Sequence, residues 1–265
     1  DIFICLPGGE PYIQSALDKG ASKVLKMTRE ELASFAKQEF NNPSQKLFVI
    51  GVTGTNGKTT VTQLVGQVLE KAGYFPYVSG TLSSELTTPE SIDIQRKMAE
   101  HLANGGTHFV MEVSSHSIAQ HRILGIDFDV KLLTNITQDH LDFHKSFENY
   151  RNIKMQFLSK AGITKETVAI YPEDYKKEAV PFVPQLLGGF NYKNIQAALS
   201  ILKHCDICNS NIYDYLSKAK APPGRFEIVS EGQDFIVIVD YAHTPDGLEN
   251  ILLESSKLAA ENSGK

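Results

Sequence analysis

Apolar residues along this chain form short runs typical of buried strands and longer stretches in which they recur every three to four residues, as in amphipathic helices. The runs predict strands at residues 47–52, 107–113, 130–134, 168–171 and 235–239. The helical periodicity predicts helices at residues 58–72, 94–104, 147–159, 192–203 and 246–260. This alternation predicts an α/β fold with a mostly parallel sheet and helices on both faces.

A smaller α/β pattern precedes this region. Residues 1–43 contain an apolar first strand and helical patterns at 12–19 and 29–40. The run Asn41-Asn42-Pro43-Ser44 is typical of a linker. We therefore expect the main sheet to begin after residue 43.

A glycine-rich run, Gly54-Thr55-Asn56-Gly57-Lys58-Thr59-Thr60, follows the first strand of the main sheet and opens a helix. Glycines let successive backbone N–H groups point at phosphate oxygens, Lys58 can reach the β and γ phosphates, and the Thr59 hydroxyl can bind Mg²⁺. Five residues rather than four separate Gly51 from Gly57, so the strict G-x-x-x-x-G-K-[ST] pattern fails at Val52. A plain connecting turn is the alternative, but such a turn has no need of Lys-Thr-Thr. The run thus predicts a phosphate-binding loop.

Polar residues also follow other predicted strands, at the sheet edge where ligands bind. Glu112 ends the strand at 107–113 and is a candidate Mg²⁺ ligand, although a core glutamate paired with a lysine is the alternative. His140 and His144 are four positions apart, as two ligands on one helix face would be. Asp142 and His144 could equally cap the next helix, and the spacing leaves both interpretations open.

The composition is that of an ordinary soluble enzyme: 265 residues, 42% hydrophobic and 22% charged, with a net charge of −5. The sequence contains no run of about 18 apolar residues and no signal-like start, so we expect a cytoplasmic protein without membrane contact. The acidic balance and scattered lysines argue against nucleic-acid binding. An odd count of three cysteines argues against a disulfide framework, and we interpret Cys205 and Cys208 as incidental rather than as a zinc or redox pair. We expect a monomer.

Five motifs occur together in one order, and with them the chain resembles the Mur ligases, most closely the branch that adds the third amino acid of the peptidoglycan precursor peptide. The motifs are Gly54-Thr55-Asn56-Gly57-Lys58-Thr59-Thr60, Met111-Glu112-Val113-Ser114-Ser115-His116, Gln120-His121-Arg122, Asn135-Ile136-Thr137-Gln138-Asp139-His140-Leu141-Asp142 and Asp240-Tyr241-Ala242-His243-Thr244-Pro245-Asp246. The resemblance extends from Asp1 to about Leu252.

The resemblance implies an ATP-dependent amide ligase with ATP and Mg²⁺ as cofactors. In that family the carboxylate of UDP-N-acetylmuramoyl-L-Ala-D-Glu attacks the γ-phosphate to give an acyl phosphate, and the amine of an amino acid then displaces phosphate. The partners implied are this UDP-N-acetylmuramoyl dipeptide and either meso-diaminopimelate or L-lysine. Cations are needed in this reaction because the substrate carboxylate and the γ-phosphate are both negatively charged and must come into contact.

The resemblance also implies roles for individual residues. The ATP-binding residues would be Gly54, Thr55, Asn56, Gly57, Lys58, Thr59, Thr60, Asn191, Arg225, Asp240 and His243. The dipeptide would be held by Thr87, Thr88, Ser114, Gln120 and Arg122. The metal ligands would be Thr59, Glu112, His140 and Lys154, and the catalytic residues Lys58, Glu112 and Lys154.

Two of these assignments have simpler alternatives. Lys154 falls fourteen residues after His140, as does the family's lysine that CO₂ carbamylates, and only as a carbamate would it bind metal. The alternative interpretation, which needs no resemblance, is that Lys154 is an exposed helix lysine. Asn191 and Asn194 match the family's G-x-x-N-x-x-N, but a helix N-cap and a surface helix residue are the alternatives.

Mapped onto the family, residues 1–43 would be part of an N-terminal UDP-binding domain, 44–227 an abbreviated central ATP-binding domain, and 228–265 the beginning of a C-terminal amino-acid-binding domain. The segments near Gly8-Gly9-Glu10 and between Tyr171 and Phe190 are shorter than in the family, and both chain ends look like cuts. We therefore expect the strand at 235–239 to have no sheet to join. We also expect this exact chain to bind nucleotide weakly and not to ligate.

Two other functions remain as alternatives. One is a related amide ligase of the folylpolyglutamate or cyanophycin synthetase type, which shares the phosphate loop. The pairing of Glu112-Val113-Ser114-Ser115-His116 with Gln120-His121-Arg122 favours a muramoyl ligand instead. The other is a degenerate, non-catalytic nucleotide-binding module.

Overall fold

A parallel five-stranded sheet forms the centre of the computed structural model, which describes residues 1–159 and 165–261. Its strands are β3 (Phe48–Thr53), β4 (Pro76–Ser79), β5 (His108–Glu112), β6 (Val130–Leu133) and β7 (Val168–Ile170). The strand order is β4-β5-β3-β6-β7, and every neighbouring pair is parallel. The register places Val52 beside Glu112 and Thr53 beside Leu133, so the ends of the three central strands meet at one edge.

Helices cover both faces of this sheet, as the apolar periodicity predicted. On one face, α3 (Lys58–Lys71), α9 (Gly189–Leu202) and α10 (Asn209–Ser217) contribute Leu64, Ile195 and Ile212 to one fully buried apolar cluster. On the other face lie α4 (Ser91–Ala103), α5 (Ser115–Ala119) and α7 (Phe147–Ser159), whose apolar residues form a second cluster. Two short helices, α6 (Leu141–His144) and α8 (Pro172–Tyr175), follow β6 and β7. The α/β fold class is confirmed.

The N-terminal segment is a small layer beside this core. Its strands β1 (Ile2–Cys5) and β2 (Lys23–Lys26) pair in parallel. Helix α1 (Ile13–Asp18) connects them, and α2 (Arg29–Glu39) begins with a capping box in which Thr28 and Glu31 exchange hydrogen bonds. Helix α2 packs against α4, which joins the segment to the central layer.

The C-terminal segment contains β8 (Glu227–Val229), β9 (Val237–Val239) and α11 (Pro245–Glu261). The expectation that the strand near 235–239 has no sheet to join was wrong, because β9 pairs antiparallel with β8. The three-residue β8 is too short to give an alternating pattern in the sequence. The proposed domain boundary at 227/228 stays a prediction.

Several other elements differ from the sequence prediction. Strand β4 and helix α10 were not predicted, since β4 has four residues and begins with Pro76, and α10 opens with the polar run Asn209-Ser210-Asn211. Helix α9 begins at Gly189 rather than at residue 192, directly after Gly188, whose φ is +96°. Within the described ranges, no helix combines the length and apolar character needed to cross a bilayer.

Candidate active site

The predicted phosphate loop leaves the end of β3 and lies against the chain that follows β6. Thr134 Oγ1 donates to Asn56 O, and the Asn135 side chain binds both the N–H and the C=O of Asn56. Gly54 has a φ of +147°, and a Cβ there would lie 1.8 Å from Thr134 Oγ1. Glycine is therefore required at position 54 by both the backbone and the neighbouring strand end.

The loop opens α3 in a geometry suited to an anion. The first intrahelical bond runs from Val61 N to Gly57 O, so the amides of Lys58, Thr59 and Thr60 have no partner inside the helix. Unpaired amides at a helix N-terminus bind phosphate, and the helix dipole adds to the attraction.

Two lysine amines converge on one carbonyl of the loop. Lys58 Nζ donates to Gly54 O at 3.0 Å and to Thr55 O at 2.9 Å, and Lys154 Nζ donates to Gly54 O at 2.8 Å. Lys154 is 1% exposed, so the exposed-lysine alternative was wrong. Burial lowers the pKa of both amines, and the charge of Lys58 lowers the pKa of Lys154 further.

Thr59 and Glu112 supply neighbouring oxygen atoms at the start of α3. The Thr59 hydroxyl is 3.0 Å from Glu112 Oε1, and the 2% exposed carboxylate also accepts from the Thr81 amide at 2.9 Å. Arg225 Nη2 donates to Thr59 Oγ1 at 3.1 Å. A hydroxyl and a carboxylate beside a phosphate site are hard oxygen ligands that fit Mg²⁺.

The second predicted metal site fits only partly. His140 lies before α6 with a φ of +50°, and its Nε2 is 3.3 Å from Asp139 Oδ2. His144 Nε2 instead pairs with Ser115 Oγ at 2.9 Å. No group of three or more His, Cys, Asp or Glu residues suited to a metal occurs in the described part of the chain. Mg²⁺ prefers oxygen ligands, and Lys154 would supply them only as a carbamate.

Burial disfavours the charged form of the histidines around α6. The pKa of His140 is lowered by burial, and the pKa of His144 is lowered to about 4 for the same reason. The ring of His116 packs edge-on against His140 at 4.7 Å. The next helix is capped by another residue, since Ser146 Oγ accepts from Asn149 N.

Asn191 and Asn194 lie on the buried face of α9 beneath the loop. Asn194 Nδ2 donates to Asn191 Oδ1 at 3.1 Å, and Asn191 is 2% exposed. A Cβ on Gly57, whose φ is +88°, would lie 2.5 Å from Asn194 Oδ1. Both simpler alternatives were wrong, because Asn194 is buried and Gly188 is the N-cap of α9.

The C-terminal residues predicted near the nucleotide do face the loop. Arg225 also stacks over the Tyr241 ring at 4.9 Å. The carboxylate of Asp240 accepts from Phe226 N and Ala242 N, both at 2.7 Å, which shapes the turn that presents His243. Asn56 Nδ2 donates to Asp246 Oδ2 at 2.8 Å, so α11 begins in direct contact with the loop.

The predicted dipeptide-binding residues form one network beside β5. Thr88 Oγ1 donates to Glu112 O at 2.9 Å and accepts from Ser114 N at 3.0 Å. Arg122 donates to Thr88 O and to Gln120 Oε1. Thr87 lies 3.3 Å from Thr81 through their hydroxyls. This network joins the Glu112 backbone to the candidate substrate residues.

A cavity of about 430 Å³ connects these groups. Its wall includes the loop from Thr55 to Thr60 together with Thr87, Glu112, His140, Arg225, Asp240 and His243. Gly54, Asn191 and Lys154 support the wall from behind, and Thr88, Ser114, Gln120 and Arg122 continue from it past Glu112. The volume lies within the range of small-molecule sites.

Some residues of the site escaped the sequence analysis. Thr81 binds Glu112, Tyr150 binds Thr55, and Glu90 joins Arg29 to Arg122 across the N-terminal and central layers. The periodicity of α7 could have identified Tyr150. Tyr150 precedes Lys154 by four residues and lies on the same helix face as Phe157 and Leu158, and all four side chains are buried. Thr81 and Glu90 lie in or beside loops, where periodicity gives no information.

Comparison with known proteins shows which family this chain is similar to. A family model described as the Mur ligase middle domain matches residues 52–182. The UDP-N-acetylmuramoyl-L-alanyl-D-glutamate–2,6-diaminopimelate ligase of Syntrophomonas wolfei is 34% identical over 330 aligned positions, which cover 97% of this chain and 68% of the relative.

Solved structures share the fold. A structure of a UDP-N-acetylmuramoyl-L-alanyl-D-glutamate–2,6-diaminopimelate ligase has a TM-score of 0.73 at 22% identity and covers 97% of this chain and 67% of that one. The MurF ligase from Thermotoga maritima in complex with ADP has a TM-score of 0.67 at 18% identity and covers 96% of this chain and 72% of that one.

The fold defines an α/β protein in which a glycine-rich loop joins the central strand β3 to helix α3. The chain belongs to the Mur ligase family, whose members are ATP-dependent ligases of peptidoglycan synthesis that form C–N bonds. The resemblance read from the five motifs is confirmed.

Proposed function

We propose that this protein joins meso-diaminopimelate to UDP-N-acetylmuramoyl-L-Ala-D-Glu, which adds the third amino acid of the precursor peptide. The observation that carries the proposal is the series of hydrogen bonds from Thr59 through Glu112 to Thr88 and Arg122, because it links the residues that would bind phosphate to a guanidinium that would bind the substrate. The name of the Syntrophomonas wolfei relative supports diaminopimelate as the amino acid. L-Lysine is the other candidate.

ATP would place its phosphates on the amides that open α3. Lys58 would exchange its two carbonyl acceptors for phosphate oxygens, which are stronger partners for an ammonium group. Arg225 and His243 would face the nucleotide from the C-terminal side of the cavity. Asn191 would support the loop from below, because it binds Asn194, which packs against Gly57.

Thr59 and Glu112 would hold one Mg²⁺ ion, and His140 with carbamylated Lys154 a second. When bound, Mg²⁺ would supply positive charge against the phosphate oxygens. The Thr81 amide keeps the Glu112 carboxylate oriented through its 2.9 Å bond. The lowered pKa of Lys154 favours the neutral amine, which is the form that attacks CO₂ and loses a proton to give the carbamate.

The muramoyl dipeptide would lie along the network beside β5. Arg122 would offer its guanidinium to a carboxylate or phosphate of the substrate, and Thr87, Ser114 and Gln120 would supply neutral hydrogen bonds. The Glu90 carboxylate already binds Arg122, at 3.2 Å, and so fixes its direction.

The reaction would then proceed in two steps, phosphoryl transfer and amide formation. The D-Glu carboxylate oxygen forms a bond to the γ-phosphorus while the bond from that phosphorus to the bridging β,γ-oxygen breaks, and ADP leaves. The amine of diaminopimelate next attacks the acyl carbon, the C–O bond to phosphate breaks, and the amine proton passes to solvent. Lys58 would neutralise charge on the transferring group throughout the first step.

The test is phosphate release by the full-length product of the gene with ATP, the UDP-muramoyl dipeptide and each amino acid in turn. Release that requires both the dipeptide and meso-diaminopimelate is the expected result. Release that requires L-lysine instead would correct the amino acid alone. No release with any amino acid would overturn the proposed ligase.

A further inference from the structure

Tyr150 is a buried residue that the reaction scheme above does not use. It lies on α7 and is 1% exposed, although it carries a hydroxyl group. That hydroxyl is 2.9 Å from Thr55 Oγ1, 95 residues away in sequence and inside the phosphate loop. A buried tyrosine hydroxyl needs a partner, and here the partner belongs to the loop itself.

The direction of this hydrogen bond follows from the other partners of Thr55. Thr55 Oγ1 donates its single proton to Thr137 O at 3.1 Å and accepts from Thr137 N at 3.0 Å. A hydroxyl has one proton and two lone pairs, so its remaining capacity is for one more donor. Tyr150 therefore donates, and Thr55 Oγ1 is fully satisfied by three partners.

The donor role persists over the working pH range. Burial raises the pKa of Tyr150 to about 12, so the hydroxyl keeps its proton. The Tyr150 ring also lies 4.7 Å below the Lys154 amine, one helical turn further along α7. One side chain thus touches both the phosphate loop and the lysine that donates to it.

The position of Thr55 controls what Lys58 can reach. The Thr55 amide donates to Asn135 O at 3.0 Å, and the Thr55 carbonyl accepts from Lys58 Nζ at 2.9 Å. Fixing the Thr55 side chain therefore fixes the backbone that directs the loop amides and Lys58 at a phosphate. Preorganised donors bind an anion more tightly than mobile ones.

We propose that Tyr150 is a positioning residue for nucleotide phosphates, acting through its hydrogen bond to Thr55. This inference rests on the proposed function, since it assumes that ATP binds at the loop. Tyr150 touches the loop from behind and not the cavity, so its effect is confined to the phosphate part of the ligand. The adenosine part would bind away from the loop, so adenosine affinity serves as an internal reference.

The experiment compares ATP and adenosine affinities by titration calorimetry or ligand-observed NMR in the full-length product of the gene, unaltered and as the Tyr150→Phe, Thr55→Ala and double variants. Tyr150→Phe should weaken ATP binding roughly two- to tenfold, the equivalent of one neutral hydrogen bond, and leave adenosine binding unchanged. Thr55→Ala should weaken ATP similarly, and the double variant should weaken it no further than Thr55→Ala alone. Tyr74→Phe is the matched control, because Tyr74 donates to Asp206 O far from the loop.

Unchanged ATP affinity in Tyr150→Phe, or equal losses for ATP and adenosine, would overturn the positioning role. Additive losses in the double variant would also overturn it, because Tyr150 would then act through another contact. Failure of the unaltered full-length product to bind ATP would overturn the proposed function, and this inference with it.

Discussion

Thr59 and Glu112 lie 53 residues apart in the sequence, yet the Thr59 hydroxyl lies 3.0 Å from one carboxylate oxygen of Glu112 and 3.1 Å from the other. The pair results from the parallel register of β3 and β5, which ends both strands at the same edge. A hydroxyl from a helix start and a carboxylate from a neighbouring strand end thus meet at the loop.

Glu112→Gln should reduce the strengthening of ATP binding by Mg²⁺. The amide keeps the size of the side chain and can still bond to Thr59, but it removes the negative charge that a divalent cation needs. Calorimetric titration of ATP with and without Mg²⁺ measures the effect. Glu178→Gln is the control, since that carboxylate pairs with Lys203 on another part of the surface. Equal Mg²⁺ enhancement in both variants would contradict the metal site.

Lys58→Met should weaken ATP binding about tenfold or more, the equivalent of a charge-assisted hydrogen bond, without lowering the melting temperature. The reason is that burial lowers the pKa of Lys58, so the free protein gains little from its charge. Lys71→Met, at the far end of α3, is the control for a general charge effect. A loss of stability together with affinity would show that Lys58 has a structural role instead.

Lys154 should carry a carbamate in the presence of CO₂. We expect a protein-bound carbamate resonance in ¹³C NMR after addition of ¹³C-bicarbonate, absent from Lys154→Met. The Lys154 amine is 1% exposed and donates to Gly54 O, and its lowered pKa keeps part of it neutral and reactive. Resonances that are identical in the two proteins would argue against the modification.

Gly57→Ala should destabilise the protein by about 1–3 kcal/mol, because alanine at a φ of +88° is strained and its Cβ would meet Asn194 Oδ1 at 2.5 Å. The added Asn194→Ala substitution should recover part of that loss by removing the clash. Denaturant unfolding of the single and double variants measures the coupling. Purely additive losses would mean that backbone strain alone accounts for the cost.

Stability should fall as the pH drops from about 6.5 towards 4, partly because of His108. The pKa of His108 is lowered to about 4, mainly by burial; Asp129 opposes this shift, and His101 adds to it. The unfolded state therefore binds a proton that the folded state refuses, and the unfolding free energy declines by on the order of 3 kcal/mol across this interval. His108→Phe, placed between Phe48 and Tyr74, should show a shallower decline. An identical pH profile would exclude His108 as a contributor.

The parts of the structure that could be predicted are those in which local pattern and tertiary packing agree. The strand, loop and helix around Gly57 combine an apolar run, a glycine turn and a periodic stripe, so the sequence alone identified them. Burial of Lys154 could also have been inferred, because it shares the face of α7 that holds Tyr150 and Phe157.

Other features depend on contacts that no local pattern records. Strand β8 has three residues and forms only because β9 pairs with it. The bond from Asn56 to Asp246 joins positions 190 residues apart, and the Glu90 bridge between Arg29 and Arg122 depends on how α2 packs on α4. Such pairs require the folded layers before they can be recognised.

The close contact between Gly54 and Thr134 affects which residues of the loop can show that a related gene still encodes an ATP-binding protein. A descendant that stopped using ATP would still need glycine at position 54, because any larger side chain would collide with its own sheet. Lys58 makes two hydrogen bonds to loop carbonyls, but its replacement creates no collision, and burial of its charged amine costs free energy once phosphate is no longer bound. Relaxed selection should therefore erase the lysine first and leave the glycine, so the lysine is the better marker of a gene that still encodes a working enzyme.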